Sequence, residues 1–192
     1  MSDFVIWSTE IKPQFTTVGG LANVPDPHEL KRGVSRIRGF PEDASFKMDP
    51  KRPKAVQLPD NVHNLPGLVL VSKKLKELIE AAKPSKVEYL AVKIIDHKGR
   101  AAAAEYFIVN QVGLQDCIDP GKSKVTWNKI EPEMISSCGK LVIDESRIEG
   151  KLTLLRPKHL PTVVLVRRSL ADQLLDSDAS GLSFEEIEDF SG

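Results

Sequence analysis

An internal repeat constrains the fold of this chain more than any other feature of its sequence. Residues 66–92 recur without a gap as residues 161–187, 95 positions later. In each copy an apolar run is followed by apolar residues at helical spacing and then by alternating apolar positions, which predicts a strand, a helix and a strand. Stacked-repeat proteins generally need three or more copies, so we predict a duplicated unit within an ordinary domain. Identical pairs include Pro66/Pro161, Val69/Val164, Leu70/Leu165, Val71/Val166 and Leu75/Leu170.

Local signals predict where the secondary structure elements begin and end. In the first copy Ser72 is a candidate N-cap, Leu75 and Ile79 lie on a helical apolar stripe, and Pro84 ends the helix. Many short strands with two or three helices predict an α+β protein with mixed or antiparallel sheets, in which the repeated units can contribute parallel pairs. Beyond the first copy, strands are predicted at residues 4–7, 105–109, 141–143, 152–155, 163–166 and 182–187, and a helix at 169–175.

Proline is concentrated in the N-terminal third of the chain. Eight of the 13 prolines fall within residues 13–66. Proline fixes φ, removes a hydrogen-bond donor and moves the preceding residue out of the α region, so a long helix or a central strand is disfavoured there. We predict that residues 1–65 are a Pro-rich irregular segment packed on a main α+β domain of residues 66–192, which contains most of the core.

Composition excludes several classes of function. Lys plus Arg and Asp plus Glu both total 27, so no global charge attracts nucleic acid or an anionic membrane. Cys117 and Cys138 offer no CxxC spacing and are expected to be reduced thiols. The N-terminus lacks a signal-peptide pattern, and no apolar run approaches the ~18 residues of a membrane span. We therefore expect a cytoplasmic protein that does not contact membranes.

Charge is nevertheless uneven along the chain. Residues 28–54 carry eight Lys or Arg against four Asp or Glu, a basic loop that favours either a solvated surface or a nucleic-acid contact. Residues 172–192 carry seven acids and no Lys or Arg, next to Phe184, Ile187 and Phe190. Acidic charge beside apolar anchors is typical of a docking surface for a basic partner, although most such faces are only solvated.

The sequence does not contain a recognisable catalytic motif. The Gly-Lys-Ser run at residues 121–123 lacks the earlier glycine of a phosphate-binding loop, because position 116 is Asp. The four histidines are not spaced as metal ligands. Asp116 and Asp119 are three residues apart and could form an acid–base pair, but an Asp before Pro-Gly more often caps a turn. We predict no catalytic residue, no metal and no cofactor, and keep a small uncharacterised hydrolase as a disfavoured alternative.

Several motifs between residues 60 and 190 resemble a known family. The run EYFIVNQVGLQDCID is followed in order by Ser123, KLVIDESRI, LLRPKHLPTVVLVRRSLADQLL and SGLSF. Their order and spacing resemble a family of bacterial immunity proteins from polymorphic toxin systems, formerly catalogued as a domain of unknown function. Pro120 departs from the family pattern, in which an aromatic residue is common at that position. The matching positions, which we expect to be structural, are Asn110, Asp116, Asp119, Ser123, Arg156 and Gly181.

This resemblance implies a role in bacterial competition. The chain would be a cytoplasmic antidote that binds and neutralises a cognate toxin protein, without catalysis, nucleic acid or membrane, and would protect the producer or its siblings. A homo-oligomer stays open, and so does the alternative of a non-catalytic nucleic-acid or scaffold-binding module. We place the toxin contact on the acidic residues Asp176, Asp178, Glu185, Glu186 and Glu188.

Overall fold

The computed structural model describes residues 2–102 and 104–192, which form twelve β-strands and two α-helices. The strands are β1 (Phe4–Thr9), β2 (Thr17–Ala22), β3 (Ser45–Met48), β4 (His63–Asn64), β5 (Leu70–Ser72), β6 (Val87–Ile95), β7 (Tyr106–Gln111), β8 (Lys124–Trp127), β9 (Ile135–Lys140), β10 (Leu154–Leu155), β11 (Leu165–Arg167) and β12 (Leu182–Glu186). The helices are α1 (Lys73–Ala81) and α2 (Arg168–Leu175). Short 3₁₀ helices lie at Pro27–Lys31 and Glu145–Arg147.

The strands form three sheets. Their orders are β10-β11-β1-β12, β4-β2-β3-β6-β7-β5 and β8-β9. Pairs β2–β4 and β3–β6 are parallel, and the other named strand pairs are antiparallel. The predicted α+β class with mixed or antiparallel sheets is therefore confirmed. No described helix is long and apolar enough to cross a bilayer.

Two strand–helix–strand segments are built in the same way. We call β5, α1 and β6 the first unit, and β11, α2 and β12 the second unit. In the first unit β7 lies antiparallel between the two strands, and in the second unit β1 does so. Each unit is completed by a strand from elsewhere in the chain. Corresponding rows across the sheets are Leu70–Ile108–Leu90 and Leu165–Ile6–Glu185.

The two helices contribute to one central core between the units. Alternating side chains of the strands point into this core, so Val71 packs in the same cluster as Leu75, and Val166 in the same cluster as Leu170. Burying one such side chain stabilises the fold by about 1.5–3 kcal/mol relative to exposure. The equivalent apolar residues of the two copies are all buried, namely Val69, Val71, Leu75, Val164, Val166 and Leu170.

The outer faces of the two larger sheets are covered by different parts of the chain. The N-terminal segment, predicted to be irregular, adds β2, β3 and β4 to the first unit's sheet. Leu30, from its 3₁₀ helix, packs in the same cluster as Leu90. Residues between β7 and β11 cover the second unit's sheet, where Ile118 and Cys117 join a third core. Both cysteines are buried and free. Burial raises the pKa of the Cys117 thiol to about 12, so it stays protonated and unreactive.

Candidate functional site

The five acidic residues predicted to contact a toxin lie at and beyond the end of the second unit. Asp176 and Asp178 follow α2 and are exposed, whereas Glu185 and Glu186 lie on β12, the edge strand of its sheet. Glu188 is exposed just beyond that strand. An edge strand that carries charge resists uncontrolled pairing with other chains and leaves its side chains accessible to a specific partner.

Tertiary contacts neutralise part of this acidic surface. Arg168 donates to both carboxylate oxygens of Glu186, at 2.8 and 2.7 Å, and these bonds lower the pKa of Glu186. Lys74 of the first unit pairs with Asp178 and lowers the pKa of that carboxyl group as well. Asp176 and Glu185 form no ion pair with any described residue. The acidic surface is therefore less charged than the linear sequence indicates.

Asn110 joins three segments at the end of β7. Its side chain is fully buried, and Nδ2 donates to the Val34 carbonyl and to Glu88 Oε2, both at 3.0 Å. Burial opposes ionisation of Glu88, but hydrogen bonds from Ser35, from the Arg36 N–H and from Asn110 outweigh it and lower the pKa of Glu88. These contacts hold the N-terminal loop against β6 and β7.

Asp119 and Ser123 shape the turn that leads into β8. Asp119 Oδ1 accepts hydrogen bonds from the N–H groups of Gly121 and Lys122, at 3.0 and 3.2 Å, as expected of a turn-capping residue. Ser123 Oγ accepts from the Val142 N–H at 3.0 Å and donates to the Val142 carbonyl at 3.3 Å. The strand predicted at residues 141–143 is reduced to an isolated bridge between Ile118 and Ile143, and the Ser123 hydroxyl takes the Val142 N–H that a longer ladder could have used.

Asp116 shares none of the turn contacts of Asp119 and pairs with a histidine. Its Oδ1 is 3.3 Å from His159 Nε2, and His159 Nδ1 is 2.7 Å from the Glu133 carbonyl oxygen. The ring of Trp127 meets His159 edge to face, with 5.4 Å between the centroids. The structure therefore does not pair the two aspartates for acid–base chemistry: one supports a turn, and the other positions a histidine.

Arg156 is a buried cation without a carboxylate partner among the described residues. Its side chain is fully buried, and Nη1 donates to the Pro161 carbonyl at 2.5 Å, while Nε has no partner in the described part of the chain. Burial lowers the pKa of Arg156 to about 10. Such a group is costly to bury, and its hydrogen bond to Pro161 ties β10 to the loop that precedes β11.

Gly181 occupies a position where only glycine fits. Its φ is +75°, and an added Cβ would lie 2.4 Å from the Asn61 carbonyl oxygen and 2.8 Å from Pro59 Cβ. The Gly181 carbonyl accepts hydrogen bonds from the Glu10 N–H at 2.9 Å and from Asn61 Nδ2 at 3.1 Å. This glycine allows the segment around Pro59 to approach the start of β12.

Two residues that the sequence did not single out connect the two units. Asp60 accepts hydrogen bonds from Ser72 Oγ at 2.6 Å and from the Ser180 N–H at 2.9 Å. Asn61 is buried and binds Trp7 Nε1, the Ser8 carbonyl and the Gly181 carbonyl. The only sequence signal was a polar pair after Pro59, which is also what an ordinary turn contains.

The described residues contain no metal-binding cluster, and their surface contains a mainly apolar cleft. No group of three or more His, Cys, Asp or Glu side chains within them could hold a metal ion. One cleft has a volume of about 620 Å³ and is lined mainly by apolar side chains, including Phe40 and Phe107. Its Glu105 forms an ion pair with Lys73 at 2.7 Å.

The basic loop is also partly neutralised within the fold. Arg32 binds Glu131 at 2.9 Å, and Arg36 binds Glu29. Arg52 donates to the Lys12 carbonyl at 2.9 Å. Three of the eight basic side chains are thus committed to internal contacts, which weakens the case for a phosphate-binding surface.

Comparison with known proteins identifies one family. A family model described as "Immunity protein family (Imm11)" matches residues 15–189. The match extends well beyond residues 60–190, over which the motifs were found, because it includes most of the N-terminal segment. No curated protein matches this sequence significantly.

Proposed function

Because the chain belongs to the Imm11 immunity protein family, we propose that it neutralises its cognate toxin through a stoichiometric complex in the cytoplasm, without a catalytic step of its own. The observation that carries this proposal is the family match over residues 15–189. Two observations support it: one cleft is lined mainly by apolar side chains, and Asp116 and Asp119 are held in contacts with His159 and with a turn. Such an antidote protects the producing cell or its siblings during bacterial competition.

The proposed toxin contact is the acidic surface formed by Asp176, Asp178, Glu185, Glu186 and Glu188. The position of Glu185 and Glu186 on an edge strand supports this assignment, since no further strand pairs with that edge to block a partner. Charges at the rim of an interface mainly increase the association rate and select the partner, so a basic toxin face is the expected counterpart. Asp176 and Glu185 are the leading candidates because no described residue supplies a cation that pairs with them.

The family-motif residues Asn110, Asp116, Asp119, Ser123, Arg156 and Gly181 are proposed to be structural. Support comes from the inward direction of their hydrogen bonds, such as that of Asn110 to Val34 and of Ser123 to Val142. Alanine at Asn110 should leave Glu88 with one bond fewer and destabilise the fold by about 1–3 kcal/mol.

We also propose that the two units are copies of one ancestral element. The common order of strands and the corresponding rows across the sheets support this origin. Residues 1–65 are proposed to pack on residues 66–192 as part of one cooperative structure, since β1 lies between β11 and β12.

The proposal is tested by co-expressing the protein with the toxin domain encoded next to its gene. Wild type should restore growth and form a one-to-one complex. The variant Asp176→Lys/Glu185→Lys should associate at least about tenfold more slowly at low salt while keeping its melting temperature. A matched control is Glu42→Lys/Asp43→Lys, which changes the net charge equally at two exposed acids of the N-terminal segment. If wild type neither binds nor protects, the proposed function is wrong. If wild type binds and the Asp176→Lys/Glu185→Lys variant associates equally fast, the toxin contact lies elsewhere.

A further inference from the structure

The β8–β9 hairpin carries large apolar side chains at the surface. It forms a two-stranded sheet separate from the two larger ones. Trp127 at the end of β8 is 39% exposed, and Ile130 in the connecting loop is 90% exposed. Exposed Trp side chains are costly to leave in water and are enriched among the residues that dominate protein interfaces. This hairpin is therefore a candidate interaction surface.

Several contacts hold the loop of the hairpin in one conformation. Asn128 Oδ1 accepts the N–H groups of Ile130 and Glu131, at 2.8 and 3.1 Å, which closes a tight turn. Arg32 binds the Glu131 carboxylate at 2.9 Å from the N-terminal segment. His159 holds the far side of the loop through a hydrogen bond with the Glu133 carbonyl, and its ring meets the Trp127 ring edge to face. An anchor that is ordered before binding loses little conformational entropy in the complex.

Exposed lysines lie in the loop of the hairpin and at its opposite end. Lys124 and Lys140 lie directly opposite each other across the two strands, an arrangement in which like charges destabilise the pair. Both are exposed, as is Lys129 in the loop, and none of the three forms an ion pair within residues 2–102 and 104–192. Carboxylates of a bound partner would remove this repulsion. The charge pattern thus indicates an acidic counterpart for the hairpin.

The hairpin is close to the acidic edge of the second unit. The Gly192 N–H donates to the Cys138 carbonyl of β9 at 2.9 Å, so the segment after β12 runs directly to the hairpin. The four Cα–Cα steps from Glu188 to Gly192 span at most about 14 Å. An interface of standard size covers about 800 Å² on each partner, a patch roughly 30 Å across. One protein can therefore contact both surfaces at once.

We infer that the β8–β9 hairpin is the apolar anchor of the toxin interface, inserting Trp127 and Ile130 into an apolar pocket of the toxin whose rim carries carboxylates for Lys124, Lys129 and Lys140. This inference rests on the proposed function, because it takes the cognate toxin as the partner. The toxin face would be basic opposite β12 and acidic opposite the hairpin. With charge of opposite sign at its two ends, the interface favours one orientation of the toxin, because the reversed orientation would bring like charges together. The chain has equal numbers of acidic and basic residues, so both signs are available.

The test measures binding of the neighbouring toxin domain to hairpin variants. Trp127→Ala/Ile130→Ala should weaken affinity at least about 100-fold, mainly through faster dissociation. Val56→Ala/Leu65→Ala is the matched control, since these side chains are 60% and 80% exposed elsewhere, and it should bind as wild type. The single variant Ile130→Asp controls for loss of folding, because a side chain exposed to this extent contributes little to stability. It should also bind the toxin domain at least about tenfold more weakly.

Charge reversal at the hairpin separates the remaining outcomes. Lys124→Glu/Lys140→Glu should slow association and reduce its dependence on salt. If the three hairpin variants bind like wild type while the acidic-edge variant does not, the inference is overturned and the proposed function stands. If the hairpin variants fail and the acidic-edge variant binds normally, the inference stands and the acidic edge is excluded. If the folded wild type does not bind the toxin domain, both are overturned.

Discussion

The two strand–helix–strand units show how the same backbone arrangement is used for burial in one place and for exposure in another. Leu90 on β6 and Glu185 on β12 are 95 positions apart and pair with Ile108 and Ile6 in corresponding rows. Leu90 is 1% exposed, because β6 is an inner strand between β3 and β7, whereas Glu185 lies on the edge strand β12 and is only partly buried. The position of the strand in its sheet therefore decides the residue type, even though the order of strands is shared.

The starts of the two helices differ as well. Ser72 caps α1 by accepting the Leu75 N–H at 3.3 Å, but Arg167 occupies the N-cap position of α2 and makes no side-chain cap. Arg167 instead lies over the Phe4 ring, 4.6 Å from its centroid. The second unit therefore relies more on packing and less on local capping than the first unit does.

The largest effect is expected from the core that both units share. Leu75→Ala and Leu170→Ala should each lower the free energy of unfolding by about 2–5 kcal/mol, since both side chains are at most 2% exposed. Denaturant unfolding measures this, with Leu175→Ala as the control because Leu175 is 53% exposed. A cost below about 1 kcal/mol at either buried leucine would mean that one helix is not an integral part of the core.

A smaller but sharper difference is expected at the residue before the second strand of each unit. Gly181 has φ +75° and Lys86 has φ +58°, but only the former is packed against a neighbouring carbonyl. Gly181→Ala should cost at least about 1–3 kcal/mol from strain alone. Lys86→Gly should change stability by less than about 1 kcal/mol, since it relieves φ and loses an exposed ion pair with Glu149. Equal costs in thermal unfolding would contradict this reading.

Loss of the helix N-cap should lower the free energy of unfolding by about 1 kcal/mol, and only in the first unit, because only α1 has a side-chain cap. Ser72→Ala removes the cap of α1 and should destabilise the protein by about 0.5–2 kcal/mol. Arg167→Ser introduces a possible cap at α2 but removes the contact with Phe4, so its net effect in denaturant unfolding should be near zero. A large loss from Arg167→Ser would show that the cation over the ring matters more than the missing cap.

The smallest effect concerns acid stability at the link between the units. Burial opposes ionisation of Asp60, but hydrogen bonds from Ser72 and Ser180 outweigh it and hold its pKa below the usual 3.8. A depressed pKa contributes stability above the unfolded value, and this stability is lost as pH falls through the folded value. Unfolding followed from pH 7 to pH 2.5 should therefore show a loss beginning near pH 4 that is reduced in Asp60→Asn. If wild type and Asp60→Asn lose the same amount of stability as the pH falls, Asp60 does not have this role.

The candidate site was only partly readable from the sequence. The acidic residues were apparent as a run, but their neutralisation by Lys74 joins positions 104 residues apart. The β8–β9 hairpin was missed because ISSCGK in β9 is mostly polar and lacks a clear alternating pattern. Asp60 and Asn61 were missed because a polar pair after proline has the composition of any turn.

The sequence by itself determined the helices, the apolar strands and the family, because these depend on local periodicity and on ordered motifs that survive in a single chain. Only the tertiary structure decided that β7 and β1 complete the two units, since strand pairing depends on contacts between distant segments. It also decided which charges face solvent unpaired. A carboxylate such as Asp178 meets its cation only when the two helices pack together, and no pattern within its own segment encodes that meeting.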